Sequence, residues 1–76
     1  MLIEIIKHDF NEEVYYVYKC YNESLKLFES KPYCLIHHDD FVNLLTDYQF
    51  ECFENRMETQ FRINVKDLII NCIKIY

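Results

Sequence analysis

Glycine and alanine are absent from this chain, and its only proline is Pro32. Glycine supplies the positive backbone angles and the close backbone approach that phosphate-binding loops and many oxyanion holes require. Its absence excludes the Rossmann and P-loop nucleotide-binding motifs. A chain of 76 residues also leaves little room for a deep pocket. We therefore expect a protein without enzymatic activity.

Basic residues are few: eight lysines and arginines face thirteen acidic residues, which leaves a net charge of -5. The arginines are Arg56 and Arg62, and the lysines are scattered singly along the chain. Nucleic-acid binding depends on Lys and Arg to neutralise phosphates, so this composition argues against a nucleic-acid partner. The acidic residues are too dispersed to predict a DNA mimic. An acidic surface of this kind suits docking on a basic protein.

Long apolar runs are missing as well, because no stretch approaches the roughly 18 residues of a membrane span. Met1–Lys7 is too short for a signal peptide and is interrupted by Glu4. We therefore expect a cytoplasmic protein that does not associate with a membrane. In that compartment four cysteines are predicted to be reduced and to pack as small hydrophobic residues: Cys20, Cys34, Cys52 and Cys72.

Residues with AT-rich codons, such as Ile, Asn, Lys, Tyr and Phe, fill about half of the chain. This skew indicates an AT-rich genome, for example that of a phage or other mobile element, a low-GC bacterium, a virus or a parasite. Seven tyrosines and six phenylalanines add more apolar surface than a small monomer readily hides. We predict a single compact domain, residues 1–76, that forms a homodimer.

Two segments near the start of the chain have the β-branched and aromatic composition of strands. Leu2–Lys7 and Val14–Tyr21 are separated by the polar residues 8–12, which predicts a hairpin. A helix is the alternative for the second segment, because apolar residues from Val14 to Phe28 also recur at helical spacing.

Two helices are expected in the middle of the chain. Asn22 is a suitable N-cap for a short helix through Phe28 that ends before Pro32. Asp39 and Asp40 predict the start of a second helix, since acidic residues are favoured at the positive end of the helix dipole. Four residues at helical spacing form the expected buried face of that helix: Phe41, Leu44, Leu45 and Tyr48.

The last third of the chain predicts a second hairpin followed by one more element. Residues 49–53 and 58–64 flank a polar turn, and Phe61 and Ile63 alternate with polar neighbours as in a half-buried strand. Asn64 can cap a helix over residues 65–76, although the isoleucines there also favour a strand. The expected fold is α+β, with a small antiparallel sheet of two hairpins packed against two or three short helices.

The densest set of potential metal ligands is Cys34, His37 and His38. Sulfur and imidazole are both competent zinc ligands. However, the segment offers only one Cys-x2-His spacing, and adjacent histidines point in different directions in most backbones. We therefore assign no metal and no cofactor, and we expect these histidines to be exposed at the start of a helix.

Tyrosines of the second strand form the densest aromatic cluster. Alternation along a strand places Tyr16 and Tyr18 on one face, and Tyr15 and Tyr21 on the other. Tyrosine suits both a protein core and a protein interface, and it is enriched at interface hot spots. We take these four tyrosines as candidate contacts with a partner.

Two further groups complete the predicted interface. Four acidic residues are expected to form an acidic border that faces a basic partner: Glu12, Glu13, Glu54 and Glu58. Ile70 and Ile75 fall outside the main apolar stripe of a C-terminal helix. These two isoleucines are the expected contacts of the homodimer.

The sequence contains no motif that commits it to a chemistry, so the functional hypothesis starts from composition. We expect a small, acidic, non-enzymatic protein that binds another protein. A phage or mobile-element inhibitor of a host protein, for example of a defence protein, would be such a protein. Its location would then be the host cytoplasm. The alternatives are a metal-binding regulatory module using Cys34, His37 and His38, or a structural subunit of a larger assembly.

Overall fold

A computed structural model describes residues 1–76. The fold is α+β, as predicted: an antiparallel sheet of six strands packs against three short helices. The strand order is β5-β1-β2-β4-β6, and β3 pairs with the far end of β2. The elements in chain order are β1 Leu2–Lys7, β2 Val14–Asn22, β3 Leu27–Phe28, β4 Cys34–His37, α1 His38–Val42, α2 Asp47–Glu54, β5 Gln60–Arg62, α3 Val65–Asn71 and β6 Cys72–Ile75.

The first hairpin is confirmed. β1 and β2 pair antiparallel from Ile3 opposite Lys19 to Lys7 opposite Tyr15. The connecting loop turns without glycine, because the Asn11 side chain accepts a hydrogen bond from the Glu13 backbone N–H at 3.0 Å. Asn and Asp side chains stabilise turns in this way. The helical alternative for the second segment is therefore wrong.

The short helix predicted after Asn22 is wrong. The Asn22 side chain does accept a hydrogen bond from the Leu25 N–H at 3.1 Å, but the chain then reverses into the β2–β3 hairpin through Lys26, whose φ is 54°. Leu25 and Leu27 are both exposed. A helix this short depends on tertiary packing for its stability, and these exposed leucines provide none.

The single helix expected from Asp39 to Tyr48 is two helices. Phe41 is buried as predicted, but α1 ends at Val42 and α2 begins at Asp47. Thr46 caps α2 in a reciprocal capping box with Gln49, which satisfies two backbone N–H groups at this point. Tyr48 consequently turns outward and is 76% exposed, so its predicted place in the buried face is wrong.

The second hairpin is also wrong, because residues 49–53 lie within helix α2. The strand that follows, β5, pairs with β1 instead. Its predicted alternation is nevertheless present: Phe61 is buried, Arg62 is exposed and Ile63 is buried. Only Gln60–Arg62 of the predicted 58–64 is strand.

The C-terminal segment is both helix and strand. The Asn64 side chain caps α3, as predicted, by accepting hydrogen bonds from the backbone N–H groups of Lys66 and Asp67. The helix stops at Asn71, and Cys72–Ile75 then pair with the free edge of β4. The β-branched isoleucines of this segment favour the strand once an edge is within reach.

All three helices lie on one face of the sheet, where the main core forms. Phe41 of α1 and Leu68 of α3 are fully buried there, and Phe53 of α2 packs against the same core cluster. The core cluster contains ten residues: Ile3, Ile5, Tyr15, Val17, Cys34, Ile36, Phe41, Phe61, Ile63 and Leu68. None of the three helices has both the length and the apolar character that crossing a bilayer requires.

Candidate functional site

The opposite face of the sheet carries no helix, and it contains two of the predicted interface tyrosines. Cross-strand pairing places Tyr16 between Ile6 of β1 and Leu35 of β4, and it places Tyr18 opposite Glu4. These five residues, from three adjacent strands, are called the outer face below. Tyr16, Tyr18 and Leu35 are half-buried, while Ile6 is 48% exposed. The sheet thus presents an aromatic and aliphatic surface with the Glu4 carboxylate at one border and Lys74 of β6, opposite Leu35, at the other.

The tyrosines of the outer face belong to a short aromatic row. The ring centroids of Tyr16 and Tyr18 lie 6.4 Å apart, and His8 stacks on Tyr16 with 4.9 Å between centroids. Desolvation raises the pKa of Tyr16, and the negative charge of Asp9 raises it further. The Tyr16 hydroxyl is therefore neutral at physiological pH and available as a hydrogen-bond donor.

One end of the sheet concentrates negative charge. The β1–β2 loop and the start of α1 meet there, because the His38 backbone N–H donates a hydrogen bond to the Glu13 carbonyl at 2.7 Å. The His37 ring joins the two segments: its Nδ1 accepts from the Asp39 N–H, and its Nε2 lies 3.4 Å from the Glu13 carboxylate. We call the five carboxylates of these segments the acidic rim: Asp9, Glu12, Glu13, Asp39 and Asp40.

The three candidate metal ligands occupy three different surroundings. The Cys34 sulfur lies 2.7 Å from that of Cys72 in the core, and His37 contacts the acidic rim. His38 forms a hydrogen bond of 2.8 Å between its Nδ1 and the Tyr15 hydroxyl. The structure contains no group of three or more His, Cys, Asp or Glu side chains arranged to hold a metal ion. The fold therefore separates these residues.

The Tyr15–His38 pair borders a cleft of about 430 Å³ on the helix side of the sheet. Its apolar floor is formed by Ile5, Tyr15 and Phe53, whose ring meets that of Tyr15 edge-to-face with 5.9 Å between centroids. The polar residues around it are Lys7, His38, Glu54, Arg56, Glu58 and Thr59. The cleft thus has mixed charge, and its hydrogen-bonded pair includes no cysteine or serine nucleophile.

Sequence reasoning missed the Tyr15–His38 pair, because the two residues are 23 positions apart and meet only after β2 pairs with β4. Burial raises the pKa of Tyr15, and the nearby Glu54 carboxylate adds to the effect. The one available signal was strand alternation, which had already placed Tyr15 and Tyr16 on opposite faces. Tyr15 lies in the core and takes no part in the outer face.

The remaining predicted interface residues are exposed but lie in different places. Tyr21 is exposed near the end of β2, and Glu12 and Glu13 belong to the acidic rim. Ile70 and Ile75 are 78% and 47% exposed on α3 and β6. Together with two further exposed isoleucines they define what we call the C-terminal patch: Ile69, Ile70, Ile73 and Ile75.

Strand β6 is the last strand on its side of the sheet, so one of its backbone edges is unpaired. Unpaired edges are templates for association and are commonly protected by charge. Between Leu68 and Tyr76 the only charged residue is Lys74, whose ammonium lies 4.6 Å from the centre of the Tyr76 ring. The C-terminal patch therefore combines exposed apolar side chains with a weakly protected edge.

Comparisons of this chain with protein-family models, with curated proteins and with solved structures find no match.

The raised pKa of Tyr15 predicts how stability depends on pH. Because the folded state favours the neutral phenol, Tyr15 contributes to the free energy of unfolding. This contribution is complete below the unfolded-state pKa of about 10 and is lost as pH rises through the higher folded-state pKa. We expect the free energy of unfolding to fall less steeply above about pH 10 in Tyr15→Phe than in the wild type. Urea denaturation over a pH series measures both slopes.

Tyr21→Phe is the matched control, because it removes an exposed hydroxyl from the same strand. At neutral pH the loss of the bond to His38 should lower the stability of Tyr15→Phe by roughly 0.5–1.5 kcal/mol. If the free energy of unfolding falls equally steeply above about pH 10 in Tyr15→Phe and in the wild type, the alkaline loss of stability does not come from Tyr15.

Proposed function

We propose that this protein is not an enzyme and acts by binding another protein through the outer face. The observation that carries the proposal is a sheet covered by helices on one side only, whose other side bears Tyr16, Tyr18, Ile6 and Leu35. Tyrosine rings combine apolar area with a polar tip, which suits surfaces that alternate between water and a partner. Contiguous exposed apolar surface on a small protein commonly marks an interaction site.

The charge around most of the outer face supports a basic partner, with Lys74 on the β6 side as the exception. Glu4 borders the outer face, and the acidic rim stands at one end of the same sheet. An apolar centre with a charged border is the usual anatomy of a protein interface. The net charge of -5 adds a long-range attraction that raises the association rate with a basic protein.

The biological role we propose is that of an inhibitor or adaptor directed at a host protein, including a defence protein, in the host cytoplasm. Its support is compositional: the AT-rich codon usage and the small size fit a phage or mobile-element product. The separation of Cys34, His37 and His38 counts against the alternative of a metal-binding module. A structural subunit of a larger assembly would use the same outer face, and the identity of the captured partner distinguishes the two roles.

Loss of both outer-face tyrosines tests the proposal. In affinity capture from cells expressing the tagged chain, we expect Tyr16→Ser/Tyr18→Ser to lose the wild-type partner. With the purified partner, the dissociation constant should rise at least about thirtyfold, since a hot-spot residue contributes about 2 kcal/mol or more. Tyr48→Ser, an exposed tyrosine on helix α2, is the matched control and should bind as the wild type does.

The same assay examines the acidic rim. Glu12→Lys/Glu13→Lys should slow association and reduce its salt dependence, whereas Glu29→Lys/Glu51→Lys makes the same charge change at exposed positions elsewhere. Circular dichroism confirms that each variant is folded. A partner that binds the tyrosine double variant as tightly as the wild type would remove the outer face from the proposal.

We further propose that the chain forms a homodimer through the C-terminal patch, with two β6 edges pairing antiparallel about a two-fold axis. Native mass spectrometry and sedimentation velocity should show a dimer of the wild type at micromolar concentration. Ile70→Lys/Ile75→Lys should convert it to a monomer, because four buried ammonium groups would oppose the pairing. Leu25→Lys, at an exposed position in the β2–β3 turn, should leave the dimer intact. A monomeric wild type would disprove this geometry.

A further inference from the structure

Two of the four cysteines are brought together by an irregularity in the sheet. On β4 and β6, Cys34 lies opposite Ile75 and Leu35 lies opposite Lys74, so a regular ladder would continue with Ile36 opposite Ile73. Instead Ile36 pairs with Cys72, and Ile73 is the extra residue of the bulge. A bulge of this kind reverses the direction of the side chains that precede it. Cys72 therefore points to the same face as Cys34.

The result is a close contact between residues far apart in sequence. The Sγ atoms of Cys34 and Cys72 are 2.7 Å apart, although the residues are separated by 38 positions. A disulfide needs about 2.05 Å between the sulfurs, so only a small movement separates this contact from a bond. Cys20 lies on β2 and Cys52 on α2, and all four cysteines are free thiols.

The two thiols differ in access. Cys34 is fully buried beneath the helices, whereas Cys72 is half-buried at the edge of the sheet and also contacts the Leu68 carbonyl oxygen at 3.0 Å. Burial raises the pKa of both thiols. The hydrogen bond with Cys72 and the charge of Cys72 raise the pKa of Cys34 further. The same hydrogen bond partly offsets the rise in the pKa of Cys72. Cys72 is therefore the more accessible thiol, and its hydrogen bond with Cys34 favours its ionised form.

We propose that Cys34 and Cys72 form an oxidation-sensitive pair that closes into an intramolecular disulfide when the protein meets hydrogen peroxide or another small hydroperoxide. The Cys72 thiolate attacks one peroxide oxygen, the O–O bond breaks, and the products are a sulfenic acid and hydroxide, which takes up a proton. The Cys34 sulfur then attacks the Cys72 sulfur, loses its proton and displaces the hydroxyl group as water. In total, two thiols and one hydrogen peroxide give one disulfide and two waters, and two electrons pass to the peroxide.

The bond would attach the edge strand β6 and its helix α3 covalently to β4. A cross-link between residues 38 positions apart restricts the unfolded chain much more than the folded one. For a domain of this size we expect the melting temperature to rise by about 10 °C or more. Because both thiols are largely protonated at neutral pH, the reaction should be slow there and become faster as pH rises.

The test uses the full chain with Cys20→Ser/Cys52→Ser, which keeps only the proposed pair. After reduction and treatment with hydrogen peroxide, the intact mass should fall by two hydrogen atoms, and digestion without reductant should yield a peptide linked through Cys34 and Cys72. The melting temperature should rise as described and return to its starting value after reduction with a phosphine.

Adding Cys72→Ser to this background is the control, because the serine replaces a half-buried residue and circular dichroism can establish that the variant is folded. This variant should show neither the mass loss nor the change in melting temperature. The proposal is overturned if the pair gains oxygen without forming a cross-link, links two chains instead, or stays reduced in excess peroxide at alkaline pH.

Discussion

The alternation of side chains along β2 is the constraint on which the rest of the structure depends. This strand pairs with β1 on one side and with β4 and β3 on the other, so its register sets the register of the sheet. Tyr15 and Val17 enter the core, while Tyr16 and Tyr18 remain on the outer face. A slip of one residue would exchange the two sets, because the period of a strand is two. The cleft, the outer face and the position of Cys34 all follow from this register.

Local signals in the sequence were sufficient where an element depends on its own residues. The β-branched composition of Leu2–Lys7 and the cap at Asn64 predicted the first strand and the start of α3. The capping box of Thr46 and Gln49 was not anticipated, because the apolar spacing that runs past it favoured a single helix. Pairing between distant segments could not be read in this way, since β5 joins β1 across most of the chain.

The features of the candidate site likewise divide into those that local sequence predicts and those that depend on the strand order. Strand alternation alone placed Tyr16 and Tyr18 together, and the polar β1–β2 loop left Glu12 and Glu13 exposed. The pairs Tyr15–His38 and Cys34–Cys72 arise only from the strand order, and the second needs a bulge that no local residue pattern announces. The lack of glycine has its own consequence: Lys26 and Arg56 adopt positive φ angles of 54° and 56°, which glycine adopts without steric cost. These turns are therefore held by the elements that flank them.

The most direct measurement of the central claim is a nuclear Overhauser spectrum of the protein with isoleucine and leucine methyl groups and aromatic rings labelled. The account predicts contacts from the Tyr16 ring to the methyl groups of both Ile6 and Leu35, and contacts from the Tyr15 ring to Phe41. A Tyr16 ring in contact with Phe41, and a Tyr15 ring in contact with Ile6, would show the register displaced by one residue. That result would contradict the placement of Tyr16 and Tyr18 on the outer face and every proposal that rests on it.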